Sequence, residues 1–145
     1  MTTVLEEVTE QTLDTDHVRR RVDDWEERLS DLYATIESWL PDGWTAQQGP
    51  CVLMHAELMR EFRVAPRQLP TLELTDESGQ SARLEPRGLW IVGANGRVDL
   101  THNGLHYLIV DRSENFERPD WQAVRGDQRR DRRNLSCDWL RQILQ

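Results

Sequence analysis

Residues 89–111, LWIVGANGRVDLTHNGLHYLIVD, hold three apolar runs separated by two Asn-Gly pairs. Such a pair supplies the two successive positive-φ residues of a tight type I′ turn, so Asn95-Gly96 and Asn103-Gly104 predict a three-stranded antiparallel meander. With two-residue loops, Ile91 opposes Leu100 and Leu100 opposes Tyr107. Alternation along each strand then puts Leu89, Ile91, Val98, Leu100, Leu105, Tyr107 and Ile109 on a core face. The other face carries Trp90, Val92, Arg97, Asp99, Thr101, His106, Leu108 and Val110. That mixture of aromatic, charged and apolar groups suits a contact surface, and Trp90, Arg97, Asp99, Thr101 and His106 are the residues expected to bind a partner. The competing expectation is that another layer of the same chain covers this face.

Working outward, residues 71–75 and 81–85 alternate apolar and polar around the turn-like DESG, which adds a hairpin and gives an antiparallel sheet of four or five strands within residues 71–111. Val52, His55, Leu58, Met59 and Phe62 recur at three- and four-residue spacing, predicting a short helix over 52–62 with His55 on or beside its apolar stripe. The two prolines of APRQLP, residues 65–70, predict an extended connector. Downstream, SENFERPDW reads as irregular. Ser136 then makes a good N-cap for a closing helix over 136–145, with Asp138 in its first turn, Leu135 stapling to Leu140, and Trp139, Leu140, Ile143 and Leu144 as the apolar face.

The long element is a helix within residues 14–40. Val18, Val22, Trp25, Leu29, Leu32, Ile36 and Trp39 alternate spacings of four and three, which is a heptad seam, and Pro41 followed by Asp42-Gly43 ends it. If the seam joined two copies, Arg21 would meet Glu26 of the second chain and Arg28 would lie against Tyr33, giving a homodimer seam of Arg21, Trp25, Glu26, Arg28, Leu29, Leu32 and Tyr33. Two bulky Trp on a seam of about three heptads favour instead a stripe lying on the chain's own sheet. Both arrangements are compatible if the helix edge also dimerises.

At 145 residues the chain is the size of a single domain, an α+β unit spanning 1–145 with disorder expected only at ends such as residues 1–13. All 18 basic residues are Arg, as a GC-rich bacterial genome would produce, and the absence of Lys excludes a P-loop lysine, a Schiff base and a lysine general base. Charge is uneven. Residues 1–40 hold eleven acids against four Arg, and residues 118–145 hold seven Arg against four Asp, so the two ends are expected to attract. Cys51 and Cys137 belong to no metal-ligand spacing and are expected to be reduced and buried. The first residues lack a basic segment and an apolar core, and no apolar run could span a bilayer. A cytoplasmic location with no membrane contact is the expectation.

No catalytic signature stands out, and neither a cofactor nor a metal is expected. The function expected is a non-enzymatic protein-interaction module, of the accessory, inhibitor or immunity kind, acting on a protein partner as a homodimer. One alternative is a small metal-dependent hydrolase or nuclease using His106 with Asp99 or Asp111, although His102 is expected to point into the core, away from His106. Cys51 with His55, helix-spaced, is a weaker candidate pair. A second alternative is a nucleic-acid binder through RGDQRRDRR, from Arg125 to Arg133, with Trp121 and Trp139 for stacking. The interrupting Asp127 and Asp131 and the net charge of −8 weigh against nucleic acid.

Overall fold

The computed structural model describes residues 14–90 and 94–145. The expectations for residues 1–13 and for Ile91 and Val92 lie outside the described residues. The fold is α+β. Helix α1 (Thr15–Trp39) leads into strand β1 (Thr45–Met54), a one-turn helix α2 (Glu57–Glu61), strands β2 (Arg67–Thr75), β3 (Ser81–Gly88), β4 (Arg97–His102), β5 (Leu105–Asp111), β6 (Trp121–Arg125) and β7 (Arg133–Asn134), and helix α3 (Cys137–Ile143). The sheet is a single antiparallel meander in which each strand pairs with its neighbours in sequence.

Among the described residues it has seven strands, where four or five were expected. The extra members have identifiable causes. Residues 52–54 carry apolar spacing that suits a helix, yet they finish β1, and the helix is only Glu57–Glu61. The prolines that suggested a connector sit inside or beside β2. Pro70 lies across from a break in register between Gln48 and Cys51, so the donor it lacks falls where the β1–β2 ladder is already interrupted. At this bulge Thr71 Oγ1 donates to the Pro50 carbonyl, and Gly49 is required because a Cβ there would press on Thr71 and Glu73. The short β6 and β7 hide in segments dominated by Trp, Arg and Asp.

Of the two Asn-Gly pairs, one behaves as expected. Asn103 (φ 52°) and Gly104 (φ 75°) form the two-residue turn that pairs His102 with Leu105 and Leu100 with Tyr107. The other does not. Arg97 pairs with Gly88, and Leu100 opposes Leu84 rather than Ile91, so residues 89–96 form a longer connection. Asn95 is not a turn residue at positive φ; it is buried, accepts a 2.7 Å hydrogen bond from Arg21 Nη2 and bonds Asp111 O through its backbone N–H. Gly96 does have positive φ (125°), and a Cβ there would fall inside the Trp25 ring. This glycine exists for the close approach of a helix rather than for a hairpin.

Helix α1 packs along one face of the sheet. Asp14 caps it, accepting from His17 N at 2.8 Å, and the extended Leu40 before Pro41 closes it. Val18, Val22, Trp25, Leu29, Leu32 and Ile36 are buried in the same core as Leu72, Leu74, Leu84, Val98, Leu100, Tyr107 and Ile109. The heptad stripe therefore lies on the chain's own sheet. The side chains expected at a dimer seam are engaged within the chain: Arg21 with Asn95, Arg28 with Asp111, Glu26 with Arg67, and Tyr33 through a 2.8 Å hydrogen bond to the Pro70 carbonyl. Burial raises the Tyr33 hydroxyl pKa, which keeps that donor protonated. Helix α3 caps as expected, Ser136 accepting from Trp139 N, and Leu140 and Leu144 join the core. Arg141 donates to the Trp39 carbonyl, so the basic end meets the acidic helix at its C-terminus, where α1 itself has no basic residue.

The deepest polar contact joins Arg28, 5% exposed, to Asp111, fully buried, at 2.7 Å. Arg28 also donates to Asp24, to Ser113 Oγ and to the Glu117 carbonyl, while the second Asp111 oxygen accepts from the backbone of Ser113 and Asp120. Both ions are thus nearly saturated with partners. Removing one partner should be far worse than removing both. Asp111→Asn is expected to lower unfolding free energy by about 3–5 kcal/mol in urea titrations, with Arg28→Met/Asp111→Leu recovering most of that loss. Gly96→Ala should cost more than about 2 kcal/mol by the same measurement, since strain and overpacking act together.

Candidate functional site

The face of the sheet opposite α1 is where charge collects. Because side chains alternate, Ala82, Leu84 and Pro86 of β3 point to the core and Arg83, Glu85 and Arg87 point away; Val98, Leu100 and His102 of β4 go inward and Arg97, Asp99 and Thr101 outward. His106 adds the β5 contribution. Pairing of Arg83 with Thr101, Glu85 with Asp99 and Thr101 with His106 brings these groups side by side across three strands.

Asp99 is the centre. It is 7% exposed, and its carboxylate accepts from Arg97 Nε (2.7 Å) and Nη2 (3.0 Å), lies 3.4 Å from Arg87 Nε, and is 2.9 Å from His106 Nε2. The two-nitrogen contact with Arg97 fixes that guanidinium in plane, which a lysine could not do. His106 remains exposed, with a shallow depression on each side of it. One, about 240 Å³, is lined by Arg83, Glu85, Arg87, Asp99 and Thr101; the other, about 280 Å³, by Leu105, Asp127 and Arg129 among others. Leu108 and Val124, paired across β5 and β6, are buried on the same outward side and lie apart from the main core.

Four of the five residues expected to bind a partner are together here: Arg97, Asp99, Thr101 and His106. Trp90 is not. The expected register would have carried it onto this face, but β3 ends at Gly88 and the chain leaves the ladder. Trp90 instead packs against the core on the helix side, with the Arg21 guanidinium 5.8 Å from its ring centroid. Its place is taken by Arg83, Glu85 and Arg87. Their signal was present in ARLEPRG, where alternation continues past residue 85, the end of the expected strand.

The other candidates are dispersed. His102 is buried, as expected, its Nδ1 2.8 Å from the Ser81 carbonyl and its ring edge-on to Trp44. Asp111 sits at the far end of β5 in the Arg28 network. Among the expected acid/base groups, only Asp99 reaches His106. That contact has the spacing of an acid/base dyad, but the Asp99 carboxylate is already shared between two guanidinium groups, and among the described residues no hydroxyl or thiol hydrogen-bonds to His106. Cys51 lies exposed on β1 and Cys137 is half-buried at the start of α3, correcting the expectation that both are buried; Cys51 shares no helix with His55. Among the described residues no three His, Cys, Asp or Glu side chains gather as a metal site, and no helix is long and apolar enough to cross a membrane. In the arginine run, Arg125 pairs with Asp127 and Arg133 with Asp131, so the interrupting acids are local counter-ions in the β6–β7 turn.

Comparison with protein-family models, with curated proteins and with solved structures finds no match.

Asp99→Ala should leave Arg87 and Arg97 repelling each other and His106 without its partner. A stability loss of roughly 1–2 kcal/mol in urea titrations, partly restored by added salt, is the expected outcome.

Proposed function

We propose that the chain is a protein-interaction module that offers the outer face of β3, β4 and β5 to an acidic surface of a partner protein. The observation that carries this reading is that two arginines, Arg87 and Arg97, and His106 are held around the nearly buried Asp99, with Arg83 lining the same depression. On β3, β4 and β5 alone, three outward arginines against two carboxylates give a local balance of +1 with His106 neutral, and Glu73 of β2 borders them beside Arg83, on a chain whose total charge is −8. A positive face on an acidic protein orients its approach to a negative surface and disfavours approach by any other side. The Asp99 anchor removes rotamer freedom from Arg97 before a partner arrives, which lowers the entropy cost of binding. Arg83 and Arg87 remain exposed to make new contacts.

Accessory, inhibitor and immunity proteins work in this way, by covering a partner's surface without chemistry of their own. The reading asks nothing of a second copy, because the helix stripe that would have formed a homodimer is packed on the chain's own sheet.

The test is affinity capture from the source cell with the wild-type chain, quantified against Arg83→Glu/Arg87→Glu and against His106→Ala. Both changed sites are exposed, so the unfolding midpoint should stay within about 0.5 kcal/mol of wild type. A captured protein that is lost in the double variant and retained more weakly by His106→Ala is the expected result. Equal retention by all three chains would rule this face out as the contact.

A further inference from the structure

The two edges of the sheet are built in opposite ways. β7 is two residues long and follows an arginine-rich turn, a protected edge. β1 has ten residues, TAQQGPCVLM, none of them charged, in a chain of which 30% is charged. Its register with β2 breaks at Gly49-Pro50, and the half before the break, residues 45–48, pairs regularly with β2 on one side and, among the described residues, has no strand on the other. Unpaired backbone donors and acceptors along such an edge are a template for another strand.

A groove of about 480 Å³ runs beside this same half-strand, between it and α1. Ala46 and Gln48 face the helix side of the sheet but stay half-buried and exposed, although their cross-strand mates Leu74 and Leu72 are buried. Helix α1 stops short of covering them. Leu29, Tyr33 and Leu72 give the groove an apolar floor, and Glu26 and Glu37 stand at its rim. Arg67 engages Glu26 at 2.6 Å; Glu37 has no ion pair among the described residues. From position 23 to position 39 the helix carries six acids and a single arginine, and Arg28 is turned inward to Asp111.

We propose that this edge accepts an extended, basic segment of another protein by strand addition. The segment's main chain pairs with the free side of residues 45–48. Every second side chain enters the groove, and long cationic side chains fit it best: their methylene stems lie on Tyr33 and Leu72 while their heads reach Glu37. Charge selects this occupant over a second copy of the chain. A copy of β1 would bring only Ala46 and Gln48 into the groove, with no cation, and would set two acidic helices facing each other. The surface lies on a different part of the molecule from the Arg83–His106 face, and neither site depends on the other.

The probe is a fluorescein-labelled library of ten-residue peptides with Arg at alternate positions and mixed Val, Ile, Thr and Ser between them, titrated into the full chain at physiological ionic strength. Saturable binding is expected, together with slowed amide exchange at residues 45–48. Glu37→Arg, an exposed change that leaves the core untouched, should weaken binding strongly, and peptides N-methylated at every second residue should fail to bind despite equal charge. The proposal is overturned by absence of saturable binding, by N-methylated peptides that bind as well as the parent, or by protection that appears elsewhere on the chain. It is equally overturned by sedimentation showing a peptide-free dimer whose contact protects residues 45–48, since a second copy would then be the occupant.

Discussion

Arg28 and Asp111 set the geometry on which the rest of the molecule depends. A long helix lying on a sheet can slide and rotate while keeping most of its apolar burial, because hydrophobic contact has no direction. A buried ion pair does not permit that. Moving Arg28 by one turn would strand two charges in the interior at a cost of several kcal/mol per ion. The pair therefore pins one register of α1 on β5, and the Ser113, Asp120 and Glu117 backbone contacts pin the 112–120 connection to the same point. Trp25 falls over Gly96 and Arg21 reaches Asn95 as consequences of that register.

This constraint also explains why one Asn-Gly pair was legible and the other misleading. Asn103-Gly104 lies at the far end of the meander, away from the helix N-terminal half, and local turn chemistry decides its conformation. Asn95-Gly96 lies under α1. There the asparagine serves as a buried acceptor and the glycine as a space for an indole, two uses that leave the same dipeptide in the sequence. The first and last helices, by contrast, were readable to within a residue or two, because Asp14, Pro41 and Ser136 act through neighbours three or four positions away, whereas the helix expected over 52–62 shrank to Glu57–Glu61. β1, β6 and β7 were not, because their strand identity comes from partners distant in sequence. Pro50 and Pro70, which argue against a strand when read singly, are accommodated because they meet at one bulge.

The same division runs through the candidate site. Alternation along β4 and β5 was enough to place Arg97, Asp99, Thr101 and His106 on one side, since the tight Asn103-Gly104 turn fixes that register. What accompanies them was decided by the β3–β4 pairing, where an eight-residue connection in place of a two-residue turn replaces Trp90 with Arg83, Glu85 and Arg87. Losing the indole and gaining guanidinium groups changes the character of the face from aromatic to cationic. The face read from sequence thus kept four of its five named residues together and changed its chemistry.

Arginine usage ties these regions together. A chain without lysine must use guanidinium groups for every cationic task, and here the tasks separate by burial. Arg28 and Arg21 are interior, the former saturated with acceptors and the latter bonded to Asn95 and near the Trp90 ring, its pKa lowered by burial. Arg67 spans Asp23 and Glu26, and those two carboxylates hold its pKa above the usual value. Arg97 is chelated by Asp99. Arg83 and Arg87 are the cations of the outer face left with weak or no internal partners, since the nearest carboxylate oxygens to Arg87 lie at 3.4 and 3.9 Å. Where internal neutralisation ends, capacity for external contact begins, and on the sheet that boundary falls along β3.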